Sequence, residues 1–250
     1  MRVFIAALVL TLSAASPVWA QAAPRASYQD QWVRTEPTDP SEEWLIAFGG
    51  RMYSQWAEVL DQNLPVKGAP GGGGYGDAPK AKGPDIWKCA TCHGWDYKGV
   101  GANKATNLRG LVGGDPARVV KALRNERHRY TPEMIPDDAA MRLGLFLTKG
   151  QYDVDKVIDP VTKKINGNPV RGKAAFQNLC ASCHGYDGKA QNFAGTKAPE
   201  FIGTVARTNP WLLIHTARNG FPGEAMPANF WMGMDILGDI GSYAQTLPEK

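Results

Sequence analysis

Every cysteine of this 250-residue chain stands in one of two copies of a single pattern, Cys89-Ala90-Thr91-Cys92-His93 and Cys180-Ala181-Ser182-Cys183-His184. Two thiols and an imidazole at positions i, i+3 and i+4 come together on one helical turn. A turn of that kind can present all three groups to one flat macrocycle, and Cys-x-x-Cys-His is the attachment motif of a c-type haem. Disulfides and zinc are the competing readings. Each cysteine pair is followed at once by histidine, which a disulfide does not require. Only His128 and His215 remain as further nitrogen ligands, too few for two zinc sites without carboxylates. The expectation is two covalent haems c, with Cys89, Cys92, Cys180 and Cys183 as thioether donors and His93 and His184 as iron ligands.

The repetition extends beyond the motif. Cys89 to Asp96 matches Cys180 to Asp187 at an offset of 91 residues, and Asp115-Pro116 to Arg124-Asn125 matches Asn209-Pro210 to Arg218-Asn219 at an offset of 94. Offsets that drift so little predict two copies of one fold. Asn209 and Pro210 predict a helix start and Gly220 its stop. Asp115-Pro116 and Asp137-Asp138 open corresponding helices in the first unit, the second of them running through Leu143 and Phe146. Gly172, Phe176 and Cys180 sit four apart on a helix leading into the second motif, and a last helix over about 234–246 places Ile236, Ile240 and Tyr243 on one side. Gly49 and Tyr53 reproduce the Gly172 and Phe176 spacing, but Cys89 follows Tyr53 by 36 residues. The intervening Pro65 to Pro84, with Gly71 to Gly74, cannot hold a helix and reads as a surface insertion over about 62–85.

The predicted architecture is all-α. Residues 1–20 read as a signal peptide, 21–41 as an N-terminal extension, 42–150 as a first domain, 151–170 as a loop-rich linker and 171–250 as a second domain. Arg2, the apolar run Val3 to Leu12 and the small residues of Val18-Trp19-Ala20 make the leader, and the run is too short to span a membrane. Cleavage removes Arg2 and lowers the formal net charge from +4 to +3. So small a charge does not imply nucleic acid. A periplasmic protein that does not span the membrane is expected.

On these motifs the chain from about Glu42 resembles a pair of class I c-type cytochrome domains in tandem. The resemblance implies a small helical fold around each haem and a methionine on the far face of the iron some forty residues after the attachment histidine. Met134 follows His93 by 41 residues and Met226 follows His184 by 42. Met226 lies in Gly223-Glu224-Ala225-Met226-Pro227, similar to the family's ligand loop, while Met232 and Met234 are expected to pack into the core. Arg124 to Met134 is two residues longer than Arg218 to Met226 and contains His128, the alternative ligand of haem one. The family also carries a proline whose carbonyl fixes the attachment histidine. Pro199 is similar to it, and Thr106 stands at the aligned place in the first unit. His215 aligns with Lys121, away from the ligand loop, and reads as structural or surface.

The resemblance implies an electron carrier, with a redox donor and acceptor as partners, rather than an enzyme. Arg118, Lys121, Arg124, Arg127 and Arg129 cluster before the first ligand loop, either as a solvated face or as a landing site for an acidic partner. A dihaem enzyme of the peroxidase or sulfur-compound dehydrogenase kind would need an open position at haem one. An electron-transfer subunit of a larger oxidoreductase could dock through Ala23 to Pro65, with Trp32, Trp44 and Trp56.

Overall fold

The computed structural model describes residues 37–60, 87–100, 107–195 and 197–250. The expected leader, most of the N-terminal extension, the Gly/Pro-rich insertion and Thr106 lie outside them. Among the described residues ten α-helices follow in order: α1 (Glu42–Val59), α2 (Cys89–His93), α3 (Ala117–Leu123), α4 (Asp137–Leu145), α5 (Val154–Val157), α6 (Pro169–Leu179), α7 (Ala181–His184), α8 (Ile202–Thr208), α9 (Pro210–Asn219) and α10 (Met234–Ala244). Among the described residues there is no sheet; a lone antiparallel bridge joins Ile158 and Ile165.

The helix starts follow their local chemistry. Ser41 Oγ accepts from the Trp44 amide at 3.2 Å and Glu42 and Glu43 fill the first turn of α1, facing the positive end of the helix dipole. Asn168 caps α6 by accepting from the Val170 and Arg171 amides, ahead of Pro169. Asn209 does the same for α9 through the Leu212 amide, and Gly220, at φ 83°, ends that helix.

One helix crossing occurs twice. Gly49 of α1 lies against the Arg142 carbonyl of α4, and Gly172 of α6 against the Asp239 carbonyl of α10. A methyl group at either glycine would collide with the facing backbone, so both crossings depend on the missing side chain. Tyr53 and Phe176, four residues on, are both fully buried behind their crossings. The crossing also sets the inner face of α10: Leu237, Ile240 and Ala244 are buried. Ile236, expected inside from its spacing, is 39% exposed, because α10 presents Asp239 and Tyr243 to α6 instead.

Residues 151–170 are less loop-like than their composition suggests. Val154, Val157, Ile158 and Ile165 are buried in the same apolar cluster as Tyr53, Trp56 and Phe146, and α6 starts at Pro169. A second cluster gathers Phe176, Ala181, Ile202, Ala206, Leu237 and Ile240. Helix α9 serves both: Ile214 enters the first cluster, Ala217 lies against the second, and Leu213 packs against the two.

The seam along α9 is polar and closed. Asn219 is fully buried under Gly50, and the Arg51 guanidinium donates to the Asn219 carbonyl at 3.4 Å, at the negative end of α9. Burial lowers Arg51 to about 10. Arg218 donates to the Gly150 carbonyl and lies over the Phe230 ring at 3.8 Å.

Candidate functional site

The first Cys-x-x-Cys-His motif is α2 itself, so Cys89, Cys92 and His93 share one turn of helix. The turn is bounded by Gly94 at φ 74°, whose amide donates to the Ala90 carbonyl at 2.8 Å. Asp96 Oδ1 sits close beneath Gly94 and accepts from the Lys98 amide. From α1, Tyr53 donates its hydroxyl to the Gly94 carbonyl at 2.6 Å. The Gly99 amide donates to the His93 carbonyl and that of Val100 to the Cys92 carbonyl, which wraps the following chain around the turn.

The second motif repeats this construction. Cys180 leads into α7, Gly185 stops it at φ 79° with its amide on the Ala181 carbonyl, and Asp187 Oδ1 accepts from the Lys189 amide. None of the four cysteines is joined in a disulfide. Desolvation, with the second cysteine of each pair adding, raises Cys89 to about 12 and Cys180 to about 11, so both are held protonated. No described cluster of three or more His, Cys, Asp or Glu side chains could hold a bare metal ion.

The donor set fits haem c. Each turn offers two thiols and one imidazole. His184 Nδ1 is buried without a hydrogen-bond partner, and desolvation lowers the pKa of the ring, favouring the neutral form a metal requires. Large apolar side chains stand exposed beside this motif: Leu179 and Phe193 at 50% and 47%, with the Phe193 ring 6.2 Å from the imidazole. A flat apolar group would cover such surfaces.

The expected Pro199 contact is absent: His184 Nδ1 makes no bond to its carbonyl. The segment closes on itself instead. Asn192 Oδ1 accepts from the Ala194 and Glu200 amides, and the Phe193 amide donates to the Glu200 carbonyl, leaving Pro199 on an exposed turn.

The two loops expected to carry the second iron ligands differ. After α9, Asn229 ties the loop to the helix end, with its amide on the Arg218 carbonyl and its side chain on that of Ala217. Met226 is half-buried within that loop, while Met232 is buried in the second cluster. After α3, Asn125 Oδ1 accepts from the Arg127 and His128 amides, and Arg129 turns the chain at φ 51°. Arg124 reaches across this loop to the Tyr130 carbonyl at 3.0 Å, the Ile135 carbonyl at 2.6 Å and Asp137. Met134 is 6% exposed, packed in the first cluster with Ile135. His128 is half-buried, its Nδ1 at 2.9 Å from the Ala122 carbonyl and its ring centroid 6.1 Å from that of His93. Desolvation lowers its pKa.

Arg118, Lys121, Arg127 and Arg129 are exposed. Arg124, grouped with them by sequence, is drawn out of that surface by its contacts across the loop. His215, which read as structural or surface, is wholly buried at the seam. Its Nε2 meets the Gly50 carbonyl at 2.9 Å, its Nδ1 the Tyr97 hydroxyl at 3.3 Å, and its ring lies 5.0 Å from Trp95. Four-residue spacing from Trp211 on a mostly apolar helix was the only local hint of this burial, and nothing local pointed to α1.

Residues 80–153 match the family model described as Cytochrome c, and residues 167–240 that described as Cytochrome C oxidase, cbb3-type, subunit III. Each match includes one Cys-x-x-Cys-His turn. No solved structure matches the chain. The chain thus carries two cytochrome c-related segments in an all-helical fold, with haem c-binding capacity and a general role in electron transfer.

Proposed function

We propose that this chain, similar to cytochromes c in both halves, is an exported dihaem cytochrome c that works in the periplasm. Its two domains would span about 42–150 and 171–250, with the Gly/Pro-rich insertion in the first. The observation that carries the reading is the duplicated attachment turn, built twice from a glycine stop, an aspartate tie and a glycine helix crossing. When bound, each haem supplies a one-electron iron couple, so that the protein can relay single electrons between a donor and an acceptor by outer-sphere transfer.

The side chains hold and orient. Cys89, Cys92, Cys180 and Cys183 would hold the haems through thioethers, and His93 and His184 would each supply an imidazole to iron. Met226 would supply a thioether sulfur to haem two, from a loop that Asn229 keeps against α9. Tyr53 fixes the first attachment turn from α1, which limits movement of His93. Arg118, Lys121, Arg127 and Arg129 form an exposed basic surface beside the first ligand loop, suited to an acidic partner. The match of residues 167–240 to an oxidase subunit family favours a second reading, a permanent electron-transfer subunit of a larger oxidoreductase.

The decisive measurement is the mass of the denatured holoprotein after acid-acetone extraction. Thioether bonds survive that treatment, so the expected mass is polypeptide plus two haems. A mass equal to bare polypeptide would sink the reading.

A further inference from the structure

We infer that haem one is held between two imidazoles, with His128 and not Met134 opposite His93. The inference rests on the dihaem reading above and deepens it. It departs from the methionine that family resemblance assigns to this place.

The separation of the two rings carries the argument. An axial imidazole nitrogen lies roughly 2 Å from its metal, and the ring centre about 1 Å beyond it, so two imidazoles on opposite faces of one iron have centroids about 6 Å apart. His93 and His128 stand at 6.1 Å with their planes 24° apart. A shared iron is accommodated by that separation.

The hydrogen bonding of His128 points the same way. Its Nδ1 faces the Ala122 carbonyl at 2.9 Å, and a carbonyl can only accept, so Nδ1 carries the proton and Nε2 keeps its lone pair. A ligating histidine typically donates its other ring N–H to a carbonyl in this way, which fixes the tautomer and the ring orientation.

The loop is built to hold that ring. Arg124 to Met134 is two residues longer than Arg218 to Met226. The longer segment closes a turn in which Asn125 Oδ1 accepts from the His128 amide and the Arg129 amide donates to the Asn125 carbonyl. Tyr130 backs the imidazole at 6.4 Å and is itself set against Trp56 of α1. Met134 lies beyond this turn, packed into the apolar cluster. The shorter loop after α9 contains no histidine, so the two irons would differ in ligands. Exchange of a thioether for an imidazole lowers the potential, so haem one would be the lower and electrons would run from haem one to haem two.

The test uses purified holoprotein and needs no variant at its first step. The red charge-transfer absorption of ferric methionine-ligated haem is counted against total haem, together with low-temperature electron-spin resonance. The expected result is two low-spin haems per chain and one methionine-ligated iron for every two haems. Met226→Ala should abolish the absorption, and Met134→Leu should leave both haems low-spin with potentials unchanged. His128→Ala should convert one haem to a high-spin or newly methionine-ligated form. Two methionine-ligated irons per chain would overturn the inference, as would loss of one low-spin signal in Met134→Leu. A resting haem one that is already high-spin would also overturn it and would favour the open-site enzyme. If His128→Ala fails to mature, the count in the unmodified protein still decides. Fewer than two covalently retained haems would instead fail the dihaem reading, which the mass measurement detects separately.

Discussion

Replacement of His215 by glutamine should remove a definite share of the protein's acid sensitivity. The ring is wholly buried at the seam between α9 and α1. The Gly50 carbonyl can only accept, so Nε2 carries the proton, and the Tyr97 hydroxyl donates to Nδ1. The imidazole is therefore neutral when folded. Desolvation holds it at about 4 rather than the ordinary 6.5; the Arg218 charge adds to the lowering and the Gly50 carbonyl opposes it. An unfolded chain takes up the proton at the ordinary value, and the folded one resists until about 4. Stability from this group is thus fully present above the ordinary value and is lost as pH falls from 6.5 towards 4. At about 1.4 kcal/mol for each pH unit of that interval, the loss is about 3 kcal/mol. Glutamine can still donate to Gly50 but does not titrate. The variant should be less stable by about 1–3 kcal/mol near neutral pH, from imperfect packing and the altered bond to Tyr97. The difference should close or reverse by about 3 kcal/mol towards pH 4. Guanidinium unfolding of holoprotein and variant, followed by circular dichroism at several pH values, measures this difference directly. A difference constant across the range would refute the reasoning, because it would mean that His215 takes up its proton alike in both states.

Two further outcomes follow from the fold and its surface. Gly172→Ala places a methyl group against the Asp239 carbonyl, and the overpacking should cost about 1–3 kcal/mol despite alanine's better helix propensity, seen as a lower Tm of the holoprotein. Reversing charge at Arg127 and Arg129, both exposed, should slow electron exchange with an acidic redox protein at low salt and flatten its salt dependence, with little effect at high salt, as read by stopped-flow absorbance.

Much of the local construction could be read from residue order alone, because it depends on neighbours within one helical turn. The two attachment turns, the Asn209-Pro210 start and Gly220 stop of α9, and the matched pairs Gly49/Tyr53 and Gly172/Phe176 are of this kind. Spacing showed that each glycine shares a helix face with the aromatic residue four positions on. It could not show that each is pressed against the backbone of a helix 93 or 67 residues away. Of the three residues expected on the inner face of α10, Ile240 and Tyr243 pack inside and Ile236 does not, since α6 selects the face that periodicity leaves degenerate. Arg124 looked like one more surface charge until the folded loop brought the Tyr130 and Ile135 carbonyls within its reach. His128 was one of two candidates in a long loop, and only the turn that folds it back sets its ring 6.1 Å from His93. His215 shows the same division. Its helix could be predicted, but its burial depends on Gly50 and Tyr97, 165 and 118 residues distant along the chain. Residue order determined which groups could bind haem c and which helices carry them. Packing between distant segments decided which polar side chains became ligand candidates, loop ties or buried seam contacts, because a side chain's environment is set by the backbone that lands on it.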